Sequence, residues 1–400
     1  MERWLSRLRS ARSRMPAFEA PAAGPAAPAE RKMLPPALVA LGGVGAASWT
    51  TPTYAALARE GYRRNPVVHA AVRTIAQAVS GADRTAEEDG ARLDAHPLPA
   101  LLAEPNERQS DAALLEALVT HLLLAGDAYL RVVTLDGEPR ALHVLRPDRV
   151  RPILDRDGWV TAYDYGGARS ERIALGDGPP PVIHLALFDP LSDHDGLAPL
   201  AAAAAAVDVH NAATRWNKAL LDNSARPSGA LVYSAEGNLT PEQFDRLRGE
   251  LESGYAGAAR AGRPMLLEGG LDWKAMGYSP RDMDFMEARN GAARDIALAF
   301  GVPPMLLGIP GDNTYANYAE ASRAFVRLTV LPLATRILAD IAAGLNPWFE
   351  SRVRLGVNRD AFPALAGERE ALWRRVGEAD FLSAAEKRRA LGLPPAEGGT

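Results

Sequence analysis

Apolar residues along this chain recur with two periods, and the period changes along the sequence. In "NPVVHAAVRTIAQAVSG" (65–81), Val68, Val72, Ile75 and Val79 fall at steps of three and four, the spacing of one helix face. Asn65 suits the cap, Pro66 the first turn, and Gly81 ends the run. "HPLPALLAEPNERQSDAALLEALVTHLLLAGDAYLRVV" (96–133) predicts a short helix, a Pro-Asn break, and a second helix from about Asp111 that stops near Gly126. Between 128 and 187 the period drops to two. "YLRVV" and "ALHVLR" flank Asp136-Gly137, and "RPILD" and "WVTAYDY" flank Asp157-Gly158. Asp-Gly between alternating apolar residues predicts hairpins. "PPVIHLAL" closes the β block.

A helix over 197–225 follows, with Pro199 in its first turn and a reach of roughly 40 Å. A small insert comes next. "ALVYS" reads as a strand, and Thr240, Pro241 and Gln243 start a helix as cap, first position and capping-box partner, with Leu239 and Phe244 spaced as a staple. Residues 263–279 read as strand, turn, strand. A helix over 281–301 leads into "FGVPPMLLGIPGDNTYANYAEASRAF" (300–325). There Pro303-Pro304 stops the helix, and Asn313 or Thr314 caps a longer one over 314–343, kinked near Pro332. A capping box of Ser383 and Glu386 opens a last helix that ends at Gly392. The outline is an α/β block, two helices carrying a small module, a stiff loop, a very long helix and a short helical end.

Residues 1–50 combine a basic amphipathic start (Trp4, Leu5, Leu8) with a Pro/Ala-rich stretch unable to bury a core. "RKMLPPALVALGGVGAASW" (31–49) has the composition of a signal peptide, but it begins thirty residues in and contains Pro35-Pro36. It reads better as an apolar arm that packs on a neighbour. No uninterrupted apolar run reaches about 18 residues, so no membrane span is expected.

Composition narrows the chemistry. Hydrophobic residues make up 47% and charged residues 24%, enough for two or three packed domains. With no cysteine, disulfides and thiolate sites are excluded. A net charge of −4 disfavours a protein that coats nucleic acid, though not one that DNA slides past. There is no G-x-x-x-x-G-K-[ST], H-E-x-x-H or G-x-S-x-G motif. "LGGVGAAS" (41–48) has Ser48 where a dinucleotide turn needs its third glycine, and reads as a hinge. His184 and His194 with Asp189, Asp193 and Asp195 could hold a cation for a metal-dependent hydrolase. Alternatively, Asp193 and Asp195 serve the positive end of the following helix. "EARNGAARD", with Glu287, Arg289, Arg294 and Asp295, is either a solvated helix face or a contact between subunits. Arg226, Arg246, Arg248, Arg260 and Arg263 form a basic zone, either solvated or touching DNA or an acidic partner.

Several of these segments, in order, resemble one family, the portal proteins of tailed double-stranded-DNA bacteriophages and gene transfer agents. "NPVVHAAVRTIAQAVS" resembles its first wing helix. The His-Pro-Leu, Pro-Asn and Gly-Asp-Ala-Tyr landmarks match at 96–98, 105–106 and 126–129. "DGLAPLAAA" resembles the start of the stem, with Ala198 in place of the usual Ser. "NSARPSGALVYSAEGNLTPEQFDRLR" resembles the stem-to-clip passage, and "MLLEGGLDWKAMGYSPRDMDFMEARNGAARDIALAFGVPPMLLG" is the strongest match. "LSAAEKRRALGLPPAEGG" resembles the family's C-terminal helix and tail.

The resemblance implies an α+β portal fold. Its parts would be a flexible arm (1–50), a wing (51–196), a stem helix (197–226), a clip (227–280), a second stem helix (281–300), a tunnel loop (301–313), a long wing helix with the segment after it (314–358) and a small crown (359–400). It implies a ring, dodecameric in mature particles, at a capsid vertex, assembled in the bacterial cytoplasm. DNA would pass through the channel without sequence recognition. The terminase large subunit, head–tail adaptor or connector proteins and the major capsid protein would be partners. No enzymatic activity, cofactor or metal is expected. The tunnel loop would present Pro303, Pro304, Met305, Leu306, Leu307, Ile309, Asp312 and Asn313, the stem contact Glu287, Arg289, Arg294 and Asp295, and the clip Arg246, Arg248, Arg260 and Arg263. The competing readings are the hydrolase and a helical scaffold or adaptor that forms no ring.

Overall fold

The computed structural model describes residues 49–51, 53–93, 95–166, 170–222, 229–233, 240, 242–243, 245–246, 271–275, 285–311 and 315–393. Contacts separate residues 1–48 from the body Trp49–Thr400, which alone is described below. The readings of the N-terminal arm, the Leu239/Phe244 staple and the strand at 263–270 lie outside the described residues.

The body opens with α1 (Tyr54–Leu57), which runs into a π turn at Ala58–Tyr62, and then α2 (Pro66–Ser80). Asn65 caps α2, its Oδ1 accepting the Val67 and Val68 N–H groups at 3.0 and 3.1 Å. The face Val68, Val72, Ile75 and Val79 is buried. After β1 (Arg84–Glu88) and β2 (Ala91–Arg92), α3 (Pro97–Ala103) is capped by His96, whose Nδ1 accepts the Leu98 N–H at 3.0 Å. The Pro-Asn landmark is a docking turn. Pro105 O accepts the Leu142 N–H, and Asn106 Nδ2 donates to Leu142 O at 2.8 Å, which fastens the turn to a strand edge. In α4 (Asp111–Ala125) Leu114, Leu115, Leu118, Val119, Leu122, Leu123 and Leu124 are all buried. The helix is enclosed on nearly every side and forms the middle of the core.

The β block forms two three-stranded antiparallel sheets. One has the order β4 (Glu138–Leu145), β3 (Asp127–Leu135), β8 (Val182–Ala186). The other has the order β5 (Val150–Leu154), β6 (Val160–Tyr165), β7 (Glu171–Ala174). Asp136 and Gly137 both have positive φ, 55° and 85°, so the first hairpin is the tight turn its sequence predicts. The second loop is longer. Asp155 Oδ1 accepts the Asp157 and Trp159 N–H groups, and only Gly158 is left-handed. Strand β7, with no period-two pattern, is not evident in the sequence.

The helix expected over 197–225 is divided. Alpha-helix α5 (Pro199–Ala202) meets α6 (Ala204–Asp222) at a break on Ala203. Beyond it, β9 (Gly229–Tyr233) pairs antiparallel with β10 (Leu271–Ala275), and Thr240 and Gln243 make their reciprocal capping bonds at 3.0 and 3.3 Å. Helix α7 (Phe285–Ala299) returns antiparallel along α6, placing Met286 near Asn217.

The long helix begins as α8 (Tyr315–Phe325), passes through a π turn at Val326–Val330 and continues as α9 (Leu331–Leu345). The irregularity therefore lies one turn before Pro332. Proline has no N–H for the ordinary ladder, and the Leu331 N–H bonds Val326 O instead. By length and composition the run Ala316–Trp348 could cross a membrane. Its apolar face, with Val330, Ala334, Ile337, Ile341 and Leu345, is the core of the body. Strand β11 (Arg354–Val357) pairs with β1 across the whole chain, Glu87 opposite Arg354 and Arg84 opposite Val357. Helices α10 (Ala366–Glu378) and α11 (Ala384–Ala390) end the body, and the Ser383–Glu386 capping box is complete.

Two landmarks, Gly-Asp-Ala-Tyr and Asp-Gly-Leu-Ala-Pro-Leu, are one contact in space. Gly126 ends α4 at φ 82°, and a Cβ on it would collide with the Gly196 carbonyl. A Cβ on Gly196 would collide with that of Gly126. Asp127 accepts the Gly196 N–H at 3.0 and 3.1 Å and the His184 Nε2–H at 2.8 Å, and His184 stacks on Tyr129 at 4.4 Å. Gly196→Ala is expected to destabilise the fold by roughly 2–4 kcal/mol, read by chemical denaturation, because backbone must move to admit the methyl. A loss below about 0.5 kcal/mol would show that the crossing is loose.

Burial pushes the His121 imidazole down to about 4 from its ordinary 6.5. Asp148 opposes the shift and Arg146 adds to it. Burial, then Arg289, also lowers His210. The unfolded chain binds these protons more readily. The stability held by the neutral His121 imidazole is therefore present in full above about pH 6.5 and lost as pH falls towards 4, and His210 acts in the same direction. His121→Phe should flatten the stability profile across that window, measured by urea denaturation at several pH values.

Candidate functional site

The stiff run after α7 is built from two consecutive helix-ending turns. At the end of α7 the Val302 N–H bonds Ala297 O at 2.9 Å and the Gly301 N–H bonds Leu298 O at 3.0 Å, with Gly301 at φ 65°. This is a Schellman cap, and the residue after its glycine, Val302, is buried in the main core. Pro303 then turns the chain into a 3-10 turn, Pro304–Leu307. The same device repeats. Ile309 N–H bonds Pro304 O at 3.1 Å and Gly308 N–H bonds Met305 O at 3.2 Å, with Gly308 at φ 70°.

Three contacts hold the loop. Ile309 is buried against Ala293 and Ala297 of α7, with Val67 and Leu307 beside it. Arg294 Nη2 donates to Pro310 O at 2.7 Å. Thr329, inside the π turn, donates its hydroxyl to Gly301 O at 2.6 Å and tethers the loop to the long helix. Leu306 and Leu307 are half-buried on the main core, and Met305 is half-buried. The exposed positions are Gly301, Pro304, Gly308, Pro310 and Gly311, so this part of the loop shows solvent no charged side chain. Asp312 and Asn313 lie outside the described residues.

The base of the two-helix projection is pinned by a buried polar network. Asn65 Nδ2 donates to His210 Nδ1 at 3.1 Å and to Asn211 Oδ1 at 3.0 Å, while Asn211 Nδ2 donates to Glu60 O at 2.9 Å. With its two cap bonds, every polar atom of the Asn65 side chain is engaged. Accepting at Nδ1 requires an uncharged acceptor nitrogen on His210, in keeping with its lowered pKa.

Among the stem candidates, Arg294 turns to its own loop and Arg289 lies near His210, while Glu287 and Asp295 are exposed on α7. Arg246 is exposed on the turn after Thr240, and Arg226, Arg248, Arg260 and Arg263 lie outside the described residues. Among the described residues no group of three or more His, Asp or Glu could hold a metal ion. His184 is held by Asp127. Asp189 Oδ1 accepts the Leu191 N–H, and Asp195 accepts from the Ser192 hydroxyl, so each serves its own loop. Neither Asp193 nor Asp195 caps α5, whose cap residue is Ala198 and makes no side-chain bond.

The chain belongs to the phage portal protein family, whose model matches residues 66–392. Among solved structures it is similar to a chain from the neck of the empty gene transfer agent particle, computed with C6 symmetry. Identity is 51% with a TM-score of 0.71, covering 88% of this chain and 96% of that one. The corresponding chain from the neck of the native particle, computed with C12 symmetry, is 50% identical with a TM-score of 0.68. A portal protein of the HK97 family from Corynebacterium diphtheriae shares the fold at 18% identity, with a TM-score of 0.57 over 79% of this chain and 99% of that one. An uncharacterised protein of Rickettsia bellii is 38% identical over 85% of this chain and 89% of its own length. A probable portal protein of Streptomyces phage phiC31 is 26% identical over 83% and 70%.

Sequence reasoning did not find Thr329, Asn211 or the partners of Ile309. A lone threonine or alanine in a helix carries no pattern of its own. Ile309→Ala is expected to cost about 2–4 kcal/mol and to speed amide hydrogen exchange at Leu306–Ile309 while leaving α9 protected. Arg294→Ala should act in the same direction to a smaller extent. Unchanged exchange in both variants would mean that neither contact holds the loop.

Proposed function

We propose that this protein is the portal of a gene-transfer-agent-like particle, a ring at one capsid vertex through which double-stranded DNA is packaged and released. The observation that carries this reading is the similarity, along 88% of the chain, to a chain of the gene transfer agent neck. In this reading the parts are those of the sequence resemblance: a wing over 51–196, a stem of α5, α6 and α7, a clip over 227–280, the tunnel loop at 301–313, the long wing helix and its following segment over 314–358, and a small crown over 359–400. The clip, with Arg246, Arg248, Arg260 and Arg263, is the docking site for the terminase large subunit and then for head–tail connector proteins. The wing and crown are the parts next to the major capsid protein. Neighbouring copies meet along the stem at Glu287, Arg289, Arg294 and Asp295, of which Glu287, Arg294 and Asp295 stand exposed.

The surface of the loop supports a channel role. A portal must let a polyanion slide, and ion pairs to phosphate would hold it in place. Exposed prolines and glycines offer neither cations nor long side chains, and the paired Schellman turns keep the loop stiff. The protein works in this reading by shape and assembly, without chemistry of its own.

Deleting Met305–Pro310 should reduce DNA packaging or retention while rings still form, measured by nuclease-protected DNA and negative-stain imaging of the same preparations. Normal packaging by the deletion variant would remove the loop from the channel. A uniform monomer of the intact protein, alone and with capsid components, would overturn the portal reading itself.

A further inference from the structure

The sheet β11–β1–β2 has an open side. Its order leaves β11 with one neighbour, β1, among the described residues. Asn358 N–H bonds Asp83 O at 2.8 Å, and Gly356 and Arg354 stand opposite Thr85 and Glu87. Alternate residues of an antiparallel strand bond to the same side. Arg354 and Gly356 therefore direct their backbone groups at β1, and Val353, Leu355 and Val357 direct theirs outward. Ala86, opposite Leu355, confirms the phase by accepting from Leu93 on the far side.

The first outward position is already paired, by a side chain. Asn346 Oδ1 accepts the Val353 N–H at 2.9 Å and its Nδ2 donates to Val353 O at 3.0 Å. The amide thus reproduces the two bonds of a neighbouring strand. The next outward residues, Leu355 and Val357, have no such partner among the described residues. Beside them runs a groove of about 680 Å³. Its α9 wall is made of Thr335, Ala339, Ala342 and Ala343, side chains small enough for a backbone to approach. Arg352, Arg354 and Arg359 also line it, are exposed, and make no ion pair among the described residues; Glu87 is the carboxylate among the lining residues.

We propose that β11 is a docking edge for an extended acidic segment of another protein, added as a fourth strand in register with the Asn346 amide. Side chains on the α9 side of that strand are small or β-branched and sit on the alanines. Those on the other side are Asp or Glu and meet the arginines. Charged edge residues ordinarily discourage pairing. Here three arginines against the one glutamate, Glu87, leave the groove net positive, which refuses basic strands and admits acidic ones. A strand fits better than a nucleic acid, because the unpaired groups are alternating peptide donors and acceptors. The inference rests on the strand edge and is independent of ring formation.

The test uses the full-length protein and an end-capped, fluorescein-labelled heptapeptide alternating valine and glutamate, with a valine–lysine peptide as control. Saturable binding by anisotropy is expected, together with slowed amide exchange at Leu355 and Val357. The double substitution Arg354→Glu and Arg359→Glu should weaken binding roughly tenfold. Ala339→Trp, which fills the groove, should abolish it. Equal binding of the lysine peptide would overturn the proposal, as would binding that leaves the Leu355 and Val357 amides unchanged. So would binding of a short DNA duplex but not the peptide, or amides already protected in the assembled protein, which would mean that a second copy holds the edge.

Discussion

Two backbones cross at Gly126 and Gly196 with no side chain between them, and much of the body is arranged around that crossing. One strand of contact leads from α4 into β3, the other from β8 into α5. Because neither residue has a Cβ, the end of the most buried helix can touch the loop that starts the two-helix projection. Asp127 then fixes the approach with bonds to Gly196 and His184. The direction in which α5, α6 and α7 leave the body follows from this contact, and the position of the loop after α7 follows from that direction.

A second constraint acts at the base of the projection. Asn65, His210 and Asn211 are buried polar side chains whose hydrogen bonds are made to one another and to the backbone. Such a network tolerates no sliding, since a shift of one residue along α6 would strand several buried polar atoms at once. It complements the apolar packing of Ile296, Phe300 and Val207, which favours association but fixes register less sharply. The loop inherits this rigidity through Ile309, Arg294 and Thr329, each on a different element or position around it.

Much of this was legible in the residues. Helix α2 with its Asn65 cap, the Asp136-Gly137 hairpin, the Ser383 capping box and the arrest of α7 at Gly301 all depend on a few neighbouring residues. Local chemistry of that kind reads directly from sequence. The turns between Gly301 and Ile309 are legible for the same reason, since proline fixes φ and glycine enters the left-handed region that other residues avoid. What escaped was non-local. Strand β11 carries four residues with little alternation and exists because β1, some 270 residues earlier, pairs with it. The π turn at Val326–Val330 answers to Pro332 in the next turn of the helix, and its Thr329 finds Gly301 only in the folded chain.

The division is therefore physical. The sequence by itself determined where many helices and the first hairpin begin and end, which helix faces are apolar, and that the chain resembles portal proteins, because caps, turns and periodicity act over a few residues. Tertiary structure decided which apolar residues of the loop are hidden. It buried Ile309 between α7 and α2, left Pro304 and Gly308 outside, and joined Arg294 to Pro310 O of the loop. Those outcomes depend on distances between segments far apart in the chain, which no local pattern encodes.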